Sequence, residues 1–171
     1  LPPVERIAEL IQQERYKEAY KLAGKIAGPE LTADSRTYLS YQQALCERAL
    51  NRPEKAYARL KRLDDRLAPI EDYRRFWMAG ALEAMDDPAA AISAYEDFLI
   101  SSPHAALGDS AHLRLAELYV AGKQYDHALK TYQRLRQRTP ALTPELFHRT
   151  AAVYDLQRDH GAARTQRLQL I

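Results

Sequence analysis

Residues 115–140 read LAELYVAGKQYDHALKTYQRLRQRTP. Leu115, Ala116 and Tyr119 fall on one face of a first helix that Gly122 ends, and Ala128 and Tyr132 share a face of a second that Thr139 and Pro140 end. Two amphipathic helices joined by a polar turn have one way to hide both stripes, which is to fold back on each other. Four other segments repeat this plan.

In chain order, the first has Ile7 and Leu10, a polar turn over residues 12–15, then Tyr16, Ala19, Ala23 and Ile26 before Gly28 and Pro29. The second has Tyr41, Ala44 and Leu45, a break at Asn51, Arg52 and Pro53, then Ala56, Leu60 and Leu63, with a stop at Ala68 and Pro69. The third runs through Met78, Ala79 and Leu82, turns at Asp86 and Asp87, and continues through Ala91, Tyr95 and Phe98 to Ser102 and Pro103. Asp87 is suited to cap the new helix while Pro88 occupies its first turn. In the fifth, Thr143, Pro144 and Glu145 read as cap, first turn and dipole-compensating acid, ahead of Ala151, Tyr154 and Ala163. The spacing predicts ten helices and no strand.

The small residue of each second helix falls at Ala19, Ala56, Ala91, Ala128 and Ala163, in steps of 37, 35, 37 and 35 residues. Such a period marks stacked repeats. Twelve residues earlier in each unit stand Ile7, Ala44, Ala79, Ala116 and Ala151, so the variation in step lies between units rather than inside a helix pair.

The pattern resembles the tetratricopeptide repeat. His112, Leu115, Ala116, Tyr119, Ala128, Tyr132 and Pro140 meet that family's spacing of large, small and aromatic residues and proline, followed by Met78, Ala79, Leu82, Ala91, Tyr95 and Pro103 in the third unit and Ala151, Tyr154 and Ala163 in the fifth. The first two units fit more loosely, with Ile7 at a small-residue position and Glu47 where tyrosine is expected. The expected fold is an all-α helix-turn-helix repeat solenoid, a right-handed superhelix of units near residues 1–36, 37–71, 72–108, 109–143 and 144–171.

The resemblance also implies a concave groove lined by the first helix of each pair. By family register its stripe contains Tyr38, Tyr41, Gln42, Leu45 and Arg48, then Tyr73, Phe76, Trp77, Gly80 and Glu83. Leu113, Arg114 and Glu117 continue it, with His148, Arg149 and Asp155 in the last unit. Exposed aromatics and arginines are common anchors of recognition surfaces, which draws attention to Tyr38, Tyr41, Tyr73, Phe76 and Trp77. Packing between units is the competing role for Phe76 and Trp77, because Arg75 occupies the position where the family places a large residue. The family's carboxylate clamp uses Lys and Asn, whereas its corresponding positions here are Ala8, Leu45, Gly80, Glu117 and Ala152, none of them Asn.

Composition agrees with a helical scaffold and names no partner. The 171 residues carry 25 basic and 23 acidic side chains, a net +2 with both signs mixed, so no basic tract suggests nucleic acid. No apolar run reaches the length of a membrane span. The one cysteine, Cys46, is expected in the core. The sequence holds no phosphate loop, HExxH, GxSxG or zinc spacing, so neither catalysis nor a cofactor is expected. The acid and histidine pairs Asp109 with His112 and Glu145 with His148 each open a helix, where an acid compensates the dipole.

Two function classes follow. One is a non-catalytic scaffold holding a segment of a partner protein in the groove. The other is the solenoid region of a larger bacterial cell-envelope protein, resembling those of lytic transglycosylases or exopolysaccharide exporters, that docks partners or contacts glycan. The start at Leu1, Pro2 and Pro3 and the helical pattern reaching Ile171 read as a piece of a longer protein. An excess of Arg over Lys, 18 to 7, accords with a bacterial source. It leaves periplasm and cytoplasm equally open.

Overall fold

A computed structural model describes residues 3–26, 31–63 and 70–169. The stops expected at Gly28 with Pro29 and at Ala68 with Pro69 lie outside these residues, as do Leu1, Pro2, Leu170 and Ile171. The described residues form ten α-helices and no strand. In order these are α1 (Pro3–Gln12), α2 (Tyr16–Lys25), α3 (Ala33–Ala49), α4 (Pro53–Lys61) and α5 (Glu71–Ala84). They are followed by α6 (Pro88–Ser101), α7 (Gly108–Ala121), α8 (Tyr125–Arg138), α9 (Thr143–Leu156) and α10 (His160–Leu168). The chain divides into two compact units, residues 1–94 and 95–171, with the division inside α6.

In the first unit, Ile7 and Leu10 of α1, Ala19 and Ala23 of α2, and Leu39 and Cys46 of α3 form one buried cluster. Tyr41 and Ala44 of α3 meet Leu60 and Leu63 in a second, against which Trp77 and Met78 of α5 pack. The second unit centres on Ala116, Tyr132, Leu135, Leu146 and Val153, supplied by α7, α8 and α9. Each cluster draws on three helices because a helix pair alone cannot cover its own apolar stripe.

The repeat register is visible in burial. Ala19, Ala56, Ala91, Ala128 and Ala163 are each 0% exposed, and Ile7, Ala44, Ala79, Ala116 and Ala151 are at most 1%. Small side chains at these points let helix axes approach within about 8–10 Å. Leu at position 128 must therefore displace a facing backbone, and Ala128→Leu is expected to cost about 1–3 kcal/mol. An unchanged melting temperature would contradict this.

The turn inside each helix pair is one device used five times. Glu14, Asn51, Asp86, Lys123 and Arg158 have φ of 58°, 57°, 59°, 58° and 63°, each five residues before its buried alanine. The next residue then donates its N–H back to the carbonyl five residues earlier, as in Arg15 to Leu10 at 2.8 Å and Gln124 to Tyr119 at 2.8 Å. The same bond joins Arg52 to Glu47, Asp87 to Leu82 and Asp159 to Tyr154. This is the Schellman closure of a helix C-terminus, in which glycine usually takes the left-handed residue. Gly122 precedes that residue and has an ordinary φ of −79°. The strain falls instead on Lys123, so Lys123→Gly is expected to stabilise the chain by about 0.5 kcal/mol, the relief of the left-handed cost less glycine's added unfolded-state entropy. Urea unfolding of the single variant tests this.

Helix starts follow the sequence with one correction. The carboxylate of Asp87 accepts from Ala90 N–H at 3.0 Å, capping α6. Thr143, expected as the cap of α9, is its first residue, and no side chain caps this end. A 3-10 turn over Pro140–Leu142 runs directly into the helix, leaving Leu142 at the cap position.

Candidate functional site

In the first unit, α3 and α5 present a group of aromatic side chains. Tyr41 is buried, and its hydroxyl accepts a hydrogen bond from Trp77. Burial pushes the Tyr41 phenol up to about 12, partly offset by that bond. Tyr38 lies beside it with ring centroids 6.5 Å apart and is 37% exposed, while Tyr73 is 39% exposed. Trp77 is half-buried, with the Arg48 guanidinium 3.7 Å from its ring centroid and Phe76 edge-on at 4.7 Å. Phe76 itself is buried and faces inward. Successive helix positions point about 100° apart, so the two rings divide between core and rim.

Gln42 is also buried, and its Oε1 has no hydrogen-bond partner. Leu45, Gly80 and Glu83 are half-buried. Of the residues expected to line the groove, Tyr38, Tyr73, Trp77 and Arg48 thus form the accessible part in this unit. Tyr41 sets their floor.

In the second unit the expected residues form a ladder of ion pairs. Arg114 donates to Glu117 at 2.9 Å, Arg149 donates to the other Glu117 oxygen at 2.8 Å, and Arg149 also reaches Glu145 at 2.9 Å. A further bond joins Arg149 to the Tyr132 hydroxyl. Burial works against the Arg149 charge, yet the acceptors Glu145, Glu117 and Tyr132 outweigh it and raise its pKa. Arg149 is committed on all sides, so this ladder chiefly fixes α9 against α7. His148, the residue before Arg149, is exposed. Asp155 pairs with Arg167 and His160, tying α10 to α9.

The acid and histidine pairs are held in structural bonds. Asp109 accepts from Arg138 at 2.7 Å and from the Thr139 hydroxyl at 2.6 Å, and His112 Nδ1 lies 2.8 Å from the Gly108 carbonyl oxygen. Burial raises the Asp109 pKa, but these two bonds prevail and hold it below the usual carboxylate range. A Cβ at Gly108 would stand 2.9 Å from the Arg138 guanidinium, so a larger residue here would push that side chain aside. Among the described residues, no group of three or more His, Cys, Asp or Glu is placed to hold a metal, and no helix is long and apolar enough to cross a membrane. Cys46 is free and buried, its thiol pushed up to about 11 by desolvation.

The sequence pattern of the tetratricopeptide repeat matches residues 110–141, the helix pair α7 and α8. A crystal structure of MamA superposes with a TM-score of 0.76 at 14% identity, covering 95% of this chain and 90% of that one. Residues 110–141 thus carry the tetratricopeptide repeat, and the chain as a whole has the fold of a TPR-like helical solenoid. MamA residues 41 to the end from Desulfovibrio magneticus RS-1 give 0.76 at 12% identity, over 99% of this chain and 94% of that one. TPR-like repeats of a kinesin light chain from Podosopora anserina give 0.76 at 17%, over 98% and 91%. No curated protein matches the chain in sequence.

Within this TPR-like solenoid, one departure from the repeat pattern has a structural answer that the spacing did not signal. Glu47, at a tyrosine position, is 1% exposed and accepts from Arg59 at 2.9 and 2.7 Å and from the Tyr20 hydroxyl at 3.1 Å. Arg59 also binds Gln43 at 2.8 Å. The partners lie on α2, α3 and α4, so only the folded repeat brings them together.

Proposed function

We propose that this chain is a protein-interaction scaffold whose first helices hold a segment of a partner protein, with Tyr38, Tyr73, Trp77 and Arg48 as its principal anchors. The observation that carries this is Arg48 stacked 3.7 Å from the Trp77 ring, beside two tyrosines more than a third exposed. Aromatic rings and a guanidinium at a partly desolvated surface offer large contact area with little side-chain entropy to lose, the composition of binding hot spots. The repeat fold supports the reading, because tandem helix pairs build extended surfaces suited to peptides.

Tyr73→Ala tests it cleanly, since the exposed ring can be removed without opening the core. Partner capture with the whole chain is expected to weaken at least about tenfold, the loss typical of one anchor residue, while the melting temperature stays within about a degree. Trp77→Ala should weaken capture further and lower stability as well, because Trp77 also packs on the cluster of Tyr41 and Leu60. Capture unaffected by either change would move the binding surface away from α3 and α5.

A further inference from the structure

Successive second helices leave unequal grooves. In the second unit α6 and α8 face each other across α7 and enclose about 980 Å3. The equivalent space bounded by α8, α9 and α10 encloses about 450 Å3, and in the first unit the one bounded by α2, α3 and α4 about 440 Å3.

The larger groove has an apolar strip and split charge. Ile100 is 79% exposed, the most exposed of the large hydrophobic residues among those described, and it stands with Leu99 on the α6 wall above Leu115 on the floor. Lys130 and Arg134 line the α8 wall one helical turn apart, both exposed and neither in an ion pair among the described residues. Asp97 is exposed on the opposite wall, while Glu96 is occupied by the Tyr119 hydroxyl. The walls and floor are helices whose backbone groups are already bonded. An extended chain lying against Ile100 and Leu115 would leave its own N–H and C=O groups without partners, whereas a helix satisfies them internally.

We infer that this groove docks an amphipathic helix of a partner protein. The apolar stripe of that helix covers Leu99, Ile100 and Leu115. Acidic residues one turn apart meet Lys130 and Arg134, and a basic residue on the other edge meets Asp97. The surface is separate from the aromatic group on α3 and α5 and does not depend on it.

Selection of stapled helical peptides about four turns long from a library, against the whole chain, tests the assignment. The expected winners carry acidic residues at i and i+4 beside an apolar stripe. Their affinity should fall at least about tenfold on Lys130→Glu/Arg134→Glu and on Ile100→Asp, all at exposed positions, and stay unchanged on Tyr73→Ala. A library that yields no binder overturns the inference, as do winners without the acidic pair. It is equally overturned by acidic peptides that ignore the charge reversal or Ile100→Asp, or by peptides lost on Tyr73→Ala.

Discussion

Arg59→Met is expected to destabilise the chain by about 3 kcal/mol, although the arginine side chain is itself 29% exposed. The cost arises at Glu47, whose side chain is 1% exposed. With Arg59 present, both carboxylate oxygens receive guanidinium bonds, and the Tyr20 hydroxyl supplies another. Removing the cation leaves a buried carboxylate with one neutral donor, and a charge taken out of water without a counter-charge is among the most unfavourable states a core can hold. The remaining Tyr20 bond and the water that reaches the outer side of Arg59 keep the effect near the lower end for broken buried pairs.

The double variant Glu47→Leu/Arg59→Met separates this mechanism from simple loss of packing. It removes both charges and fills the site with apolar groups at a position where tetratricopeptide repeats ordinarily place an aromatic ring. Stability should return to within about 1 kcal/mol of the natural chain, because a hydrophobic replacement of a buried pair is commonly neutral. Urea unfolding of the three proteins measures this. A double variant as unstable as Arg59→Met alone would show that the arginine acts through its aliphatic stem.

What the sequence shows of this protein divides along physical lines. The five alanines of the second helices are legible because close backbone approach admits only a small side chain, so geometry imposes one residue type at one spacing. The five left-handed turn residues are just as periodic, yet they are Glu, Asn, Asp, Lys and Arg. Their backbone conformation is imposed by the closing bond of the turn, which any residue can accept at modest cost, so no shared letter reveals it. Glu47 is legible as an exception, but Arg59 is not, because its role depends on how α4 lies against α3. At the candidate site, the aromatic stripe on α3 and α5 can be read from register, whereas the division between Phe76 in the core and Trp77 under Arg48 cannot, since adjacent positions compete for one face. The ladder through Glu117 and Arg149 poses the same difficulty. The residues are readable as charged stripe members, and only the packing of α7 on α9 makes them partners.

Leu135→Ala is the second large perturbation, with an expected loss of about 3–4 kcal/mol. Leu135 is 0% exposed and lies among Ala116, Tyr132, Leu146 and Val153, where α7, α8 and α9 meet. Truncation removes three carbons whose transfer from water is favourable and leaves a void that three helices must collapse to fill. Collapse is restricted here because Ala116 already brings the backbones into contact, and Arg149 holds α9 to α7 through Glu117. In a repeat array a segment has stabilising contacts only with its sequence neighbours, so no distant part of the chain can compensate. The loss should therefore be local as well as large. Amide exchange is expected to quicken most in α9 and α10, while α1 and α2 keep their protection. At about 2–4 °C per kcal/mol for a chain of this size, the midpoint should fall by roughly 10 °C. Uniform loss of protection from α1 to α10 would instead mean that the chain unfolds as one cooperative body, and the nearest-neighbour account of its stability would fail.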